Sequence, residues 1–234
     1  MLTESAELPG VYLNTPKVFP DERGEFHEWF KSSPLAEQIG YPFMLAQANM
    51  SFSKQGVIRG LHFAEAPPGQ AKFIICPQGK ILDIIVDIRR GSETFGKYIA
   101  VELSAENHAG VFIPIGFAHG FIALEDSTVC YLTNEPYRPE HEHGINPFDP
   151  EIGVEWPEVV GAGAGVSGAA GSTPGGLEYV LSVKDREAPM LSEVPDAVLP
   201  DYGECEEFHN SMRDGWVLAN DAASSEDPEY WDEA

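Results

Sequence analysis

Cysteine is scarce in this chain. Three residues, Cys76, Cys130 and Cys205, occur in 234, with no close pair and no Cys-x-x-Cys spacing. An odd, sparse count suits a reducing cytoplasm and argues against structural zinc. Basic residues are also few: 14 Lys and Arg face 38 Asp and Glu, leaving a net charge of −24. A protein that grips nucleic acid by its phosphates, or an anionic membrane surface, needs a basic face, and this balance opposes both. A small anionic ligand stays compatible, because a few local cations can outvote a global field. No run of about 18 apolar residues exists, so no membrane-spanning helix is expected. The first ten residues carry Glu4 and Glu7 and lack the basic and apolar regions of a secretory leader.

The remaining charge is unevenly spread. From Leu191 to Ala234 there are thirteen acids against the single base Arg213, which is half of the net charge. Blocks of like charge repel and stay solvated, so residues 192–234 read as an acidic extension, partly disordered or docked, and dispensable for chemistry. Tyr202, Phe208, Met212 and Trp216 could lay one short amphipathic segment on the body. Gly161–Gly176 holds seven glycines and no charge. With no Walker lysine and no G-x-G-x-x-G between strand and helix, it reads as a flexible surface loop, not a phosphate cradle.

Between Val11 and Pro157 the texture is short strands. Lys80–Ile88 places Leu82, Ile84, Val86 and Ile88 on one face and Ile81, Asp83, Ile85 and Asp87 on the other. Lys97–Leu103, Gly110–Pro114, Gly120–Leu124 and Thr128–Leu132 are further β-rich runs, punctuated by Gly, Pro and acidic turns. Even spacing of this kind predicts an all-β sandwich or barrel over residues 1–191. One short helix is expected at Pro34–Ile39, with Ser33 as N-cap and Gly40 as its stop.

Four clusters hold polar residues that strand formation alone does not explain. They are Asp21–Glu28, Gln47-Ala-Asn49 with Arg59-Gly-Leu-His62, Gln70-Ala-Lys72, and Pro114–Phe121 with Tyr131 beyond. In a plain strand Arg59 and His62 point to opposite faces, so one cavity can hold both only if a twist or bulge intervenes. Lys72 precedes Phe73-Ile74-Ile75, a core-like strand. A buried ammonium needs a partner or a lowered pKa, and either marks a site.

Pro114-x-Gly116-x-x-His119 matches the second half of the cupin signature. A metal cupin also needs His-x-His and a nearby Glu in its first motif, but His62 is followed by Phe63-Ala64-Glu65. A two-His, one-carboxylate iron site, and with it a metal-dependent oxygenase, is therefore disfavoured. The one His-x-His, His141-Glu-His143, sits in a polar stretch that reads as a surface loop. Beyond these fragments, Asp21-Glu-Arg-Gly24, Gln47-Ala-Asn49, Val57–Phe63, Gln70-Ala-Lys72, Asp83–Arg89 and Ser92–Gly96 follow in order. They continue with Ile113–Phe121, Tyr131, Asp149-Pro150, Val154–Pro157 and Leu181–Asp185. This ordered set resembles the dTDP-4-dehydrorhamnose 3,5-epimerase family, metal-free cupins that act on dTDP-4-keto-6-deoxy-D-glucose. Ala64 and Pro136-Tyr137 depart from the family's common residues.

The resemblance implies an all-β, cupin-type jelly-roll barrel with a few short helices, acting as a cofactor-independent homodimer. It implies His62 as general base in a dyad with Asp185, Lys72 as stabiliser of the enolate oxygen, and Tyr131 as acid on the opposite face. Arg59, His119 and Lys184 would line the sugar and diphosphate. Arg23, Phe26, Glu28, Gln47 and Asn49 would hold the nucleotide, Arg23 and Glu28 from the partner subunit, and Glu142 would be a further ligand contact. The chemistry is consistent without the name. A hydrogen α to a ketone becomes acidic when an ammonium stabilises the enolate in a dry pocket. An imidazole ordinarily titrates near neutral pH, and a carboxylate fixes its tautomer. Rivals are an epimerase of one carbon only and a non-catalytic nucleotide-sugar binding protein.

Overall fold

The computed structural model describes residues 1–159, 170–172 and 178–225. The strands are β1 (Leu2–Glu4), β2 (Tyr12–Asn14), β3 (Val18–Asp21), β4 (Gly24–His27), β5 (Gln47–Ser53), β6 (Ile58–Ala64), β7 (Lys72–Gln78) and β8 (Lys80–Asp87). They continue with β9 (Tyr98–Ser104), β10 (Gly110–Ile113), β11 (Phe117–Ala123), β12 (Ser127–Thr133), β13 (Glu142–Gly144), β14 (Ala170–Ser172) and β15 (Glu178–Val180). Among the described residues the α-helices are α1 (Ser32–Ile39), α2 (Val183–Arg186) and α3 (Tyr202–Ser225). One sheet runs β1-β2-β10-β7-β12-β5 and the other β13-β6-β11-β8-β9. All their pairings are antiparallel, giving the all-β sandwich expected of the strand spacing, in the jelly-roll arrangement that the resemblance implies. Two small hairpins, β3–β4 and β14–β15, form separate two-stranded sheets. Among the described residues no helix is long and apolar enough to cross a membrane.

Side-chain alternation sorts the interior into three layers. Ile74, Cys76, Ile81, Ile85, Val111, Phe117, Phe121 and Val129, drawn from both sheets, fill the space between them. The other face of β8 sends Ile84 and Val86, with Ile88 just beyond its end, into a second core, covered by Ile145, Trp156, Tyr179 and Leu199 from the later chain. Beneath the larger sheet Phe73, Ile75 and Phe112 pack with Leu35 and Ile39 of α1 and Cys205 of α3. Each fully buried Leu, Ile or Phe contributes about 1.5–3 kcal/mol, so the covering segments are integral to stability.

The helix ends differ in part from expectation. α1 begins at Ser32, preceded by Lys31, with no side-chain cap from Ser33. Gly40 does end it, at φ 87°, and a Cβ there would meet the Arg213 side chain at 2.9 Å. The acidic extension is no short segment. α3 has 24 residues, is capped by Asp201 through the Gly203 and Glu204 amides, and docks by its first half. Cys205 is wholly buried, and Phe208 and Met212 pack against the same core. Trp216, expected on the apolar stripe, is instead 40% exposed. Like charge does not prevent docking because Arg89 of the body meets the helix and Arg213 of the helix meets the body. Arg89 lies over the Tyr202 ring and Arg213 Nε donates to the Ile39 carbonyl at 3.0 Å. The glycine-rich stretch 161–176 lies outside the described residues apart from β14, as do residues 226–234.

His209 ties α3 to the body, its Nδ1 sharing a 2.7 Å hydrogen bond with the Tyr41 hydroxyl. Burial, reinforced by Arg213 and Arg89, pushes its imidazole down to about 4. The unfolded chain binds this proton first, so stability falls as pH drops from about 6.5 towards about 4. Between about pH 7.5 and about pH 5 the wild type should lose about 2 kcal/mol more than His209→Gln. Urea unfolding at both pH values measures this, and equal losses in the two proteins would refute it.

Candidate active site

At one end of the space between the sheets the apolar filling gives way to a cavity of about 200 Å³. It is smaller than the roughly 300–1,000 Å³ that encloses a whole drug-sized ligand. Its walls carry Arg59, His62, Lys72, His119, Tyr131 and Glu142. Lys72 shares the inward phase of Ile74 and Cys76 on β7, and Tyr131 that of Val129 on β12. His62 and His119 come from the facing sheet, paired across β6 and β11.

A bulge brings Arg59 and His62 together, as the alternation argument required. β6 has two residues, Gly60 and Leu61, opposite the single Gly120 of β11. Arg59 thereby turns inward with His62, while Ile58, Leu61 and Phe63 enter the outer core. Gly60 sits at φ 113°, and a Cβ on it would stand 2.6 Å from Gly120 Cα and 2.7 Å from the His119 carbonyl. Arg59 is held by Ser53 Oγ at 2.8 Å and the Phe52 carbonyl at 2.9 Å.

The imidazole of His62 is fixed from behind. Its Nε2 lies 2.6 Å from Asp185 Oδ1, and the Asp185 side chain is 6% exposed against 38% for His62. Asp185 is positioned by the first turn of α2, where its amide donates to Ser182 Oγ at 3.0 Å. Burial pushes the Asp185 carboxyl up, but hydrogen bonding and charge from His62, with help from Ser182 and the Gly60 amide, hold it below the usual carboxylate range. The carboxylate is thus ionised at neutral pH and orients the ring.

Lys72 is buried and makes no ion pair within 4.0 Å among the described residues. Burial drives its pKa down, and Glu142 and Asp83 partly restore it. Burying a charge costs several kcal/mol without a partner, so the ammonium is poised for an anionic oxygen. Tyr131 is pushed upward, first by burial and then by the Glu142 charge, so its phenol keeps its proton. His119 Nε2 lies 2.8 Å from Asp83 Oδ2. Burial raises the Asp83 carboxyl against the pull of His119 and Lys72, and its Oδ1 is buried without a hydrogen bond. Asp83 was missed as a site residue, although a carboxylate on an Ile-rich strand was the available signal.

The other expected residues divide. Gln47 and Asn49 share the inward phase of Ser51, which lines the cavity, and are joined by a 2.6 Å hydrogen bond. The His141–His143 stretch is not a loop: β13 pairs with β6, which sets Glu142 into the cavity wall while His141 and His143 both bond Glu65. Lys184 is exposed on α2 and is not among the cavity's lining residues. Arg23, Phe26 and Glu28 also lie outside it, on or just after the β3–β4 hairpin. Arg23 pairs with Asp21 and Glu28 with Lys31. A larger cavity of about 460 Å³ under α3 contains none of the expected residues.

A family model described as dTDP-4-dehydrorhamnose 3,5-epimerase matches residues 5–193. A dTDP-4-dehydrorhamnose 3,5-epimerase from Streptomyces griseus is 40% identical over 207 residues, 88% of this chain and 94% of its own. The solved Mycobacterium tuberculosis rmlC epimerase superposes with a TM-score of 0.81 at 37% identity, covering 90% of this chain and 98% of that one. The 3'-monoepimerase ChmJ from Streptomyces bikiniensis, in complex with dTDP-quinovose, gives a TM-score of 0.79 at 34% identity, covering 90% and 99%.

Gly60→Ala forces the β6 and β11 backbones apart and should cost at least about 2 kcal/mol of stability. Gly91→Ala, at φ 86° with open space around it, should cost only about 1 kcal/mol of strain. Urea unfolding of the pair separates clash from strain, and equal losses would show that the close approach is unimportant.

Proposed function

The chain belongs to the dTDP-4-dehydrorhamnose 3,5-epimerase family, and from that premise we propose how its residues convert dTDP-4-keto-6-deoxy-D-glucose to dTDP-4-keto-L-rhamnose. The observation that carries the reading is the placement of base and acid on opposite sheets, with an unpaired ammonium between the same walls. His62, on β6, takes the proton α to the C4 ketone, at C5 and at C3. Asp185 keeps the ring oriented and stabilises the imidazolium that forms. Lys72 receives the enolate oxygen, where a preorganised charge in a dry pocket is worth most. Tyr131, on β12, returns a proton from the other side, which inverts the carbon. Each inversion leaves His62 protonated and Tyr131 as phenolate, and water carries the proton from the one to the other before the second carbon reacts.

Arg59 and His119 face the sugar and the diphosphate, with Lys184 contributing from the rim. Asp83 acts as a positioning residue for His119. Gln47 and Asn49 continue the polar wall towards the nucleotide. Arg23 and Glu28 reach the nucleotide of a partner subunit, not of their own, and Phe26 is a further nucleotide contact. The exposed apolar side chains support a homodimer. Met44 and Leu45 lead into edge strand β5, whose Met50 and Phe52 are 74% and 54% exposed, and Phe26 on the hairpin is 64% exposed. Unpaired edges with apolar faces are normally covered. A soluble cytoplasmic enzyme fits the cysteine usage.

A second reading, inversion at one carbon only, is kept by the likeness to the 3'-monoepimerase. Incubation with the 4-keto-6-deoxy sugar nucleotide in D2O, followed by NMR at C3 and C5, separates the two by which carbons exchange and invert.

Two variants test the assignments. His62→Ala should abolish exchange at both carbons, and near wild-type exchange at either one would refute a single base. Tyr131→Phe keeps the ring and removes the hydroxyl. It should still wash deuterium into C5 but leave most C5 in its starting configuration, with inversion slowed by roughly 10²–10⁴-fold. Near-normal inversion would mean that the Tyr131 hydroxyl only satisfies a neighbour.

A further inference from the structure

Outside the catalytic cavity, three possible metal ligands converge where the β3–β4 hairpin meets the body. Glu25 and His27 are two residues apart on β4 and so project from one face. His108 comes from the turn between β9 and β10. Its Nε2 lies 3.0 Å from Glu25 Oε1, and its ring centroid is 4.4 Å from that of His27. One ligand atom from each residue lies within 4.8 Å of the other two.

The turn is built to hold His108 in place. His108 has φ 53°, the one non-glycine residue in the left-handed region among those described. A backbone held there calls for a local reason. Asn107 fixes the turn, its side-chain oxygen accepting from the Ser104 and Ala109 amides and its amide donating to the Glu102 carbonyl. The His108 side chain is only 13% exposed. Glu65 with His141 and His143 is a useful contrast. There the two imidazoles meet opposite oxygens of the carboxylate and do not converge on one point.

We propose that Glu25, His27 and His108 bind one divalent transition-metal ion of the zinc class, which clips the hairpin to the β9–β10 turn. Two imidazoles and a carboxylate select such borderline ions over Mg²⁺ or Ca²⁺, which take oxygen ligands. Three protein ligands leave the fourth tetrahedral position to water. Bonds of about 2.0–2.2 Å set neighbouring ligand atoms about 3.3 Å apart. Glu25 and His108 are already near that separation, and side-chain rotation closes the rest. A chain of net charge −24 concentrates cations at its surface. The site does not depend on the catalytic assignments above.

The test is titration of the chelator-stripped full-length protein with Co²⁺, read by visible absorption, then displacement with Zn²⁺. One Co²⁺ per chain with a four-coordinate spectrum is expected. Affinity should fall at least tenfold in His27→Gln and in His108→Asn, the latter chosen because Asn tolerates φ above zero. His143→Gln, in the Glu65 cluster, should bind like wild type. Zn²⁺ should also slow amide exchange across residues 18–27. The proposal is overturned by the absence of a Co²⁺ spectrum, by wild-type affinity in both site variants, or by loss of binding in His143→Gln. Binding without slower hairpin exchange would overturn the clip.

Discussion

Between Arg59 and His62 the chain has two residues where the facing strand has one, and that mismatch sets which side chains reach the interior. A regular β6 would send either the cation or the imidazole into the outer core beside Ile58 and Phe63. The bulge lets both face inward while the apolar residues on either side keep their places. It needs a residue that accepts φ 113° and lets Gly120 approach its backbone, so Gly60 serves geometry rather than chemistry. The Gly60 amide also bonds Asp185, which couples the bulge to the group that orients His62.

A second constraint is electrostatic. The whole chain repels anions, yet the cavity is framed by Lys72 and Arg59. The nearby acids do not cancel them: Asp185 is turned to His62 and Asp83 to His119, leaving Glu142 as the carboxylate that faces the cations. Lys72 shows the balance best. Burial weakens its charge and Glu142 and Asp83 support it, but neither is close enough to form an ion pair. A contact ion pair would neutralise the ammonium before any enolate formed. Complete isolation would deprotonate it. Without a contact pair the Lys72 nitrogen stays available to an oxygen that gathers negative charge, which is what stabilising a transient oxyanion demands.

Much of this was legible in the sequence. Alternation in Lys80–Ile88 gave the two faces of β8, and each face does enter a different core. Lys72 ahead of an apolar strand, and His62 three residues from Arg59, stood out because strand formation alone did not call for them. What stayed hidden depends on contacts between distant segments. Asp83 looked like one of two acids in a strand until His119 was placed 36 residues away on the neighbouring strand. Glu142 was named by the resemblance alone, because local pattern reads its stretch as a polar loop and does not encode the register that pairs it with β6. The helical extension was obscured for a related reason. Its net charge dominated the reading, while docking rests on a few positions, Cys205, His209 and Arg213, whose partners lie near residues 39–41 and 89.

The three packed layers divide the work between stability and chemistry. The outer layers, with α1 and α3 on one side and the later chain on the other, are dense and apolar, and they hold the sheets at a fixed separation. The middle layer can then stop short, leaving a polar cavity at one end without loosening the fold. The same separation keeps β6 and β12 on opposite sides of that cavity. A base and an acid on one sheet could remove and return a proton only from one side, giving exchange without inversion. Placed on two sheets, they invert the carbon between them. Epimerisation in this reading therefore follows from the sandwich itself, and the function depends on the distance between two layers as much as on the identity of the residues they carry.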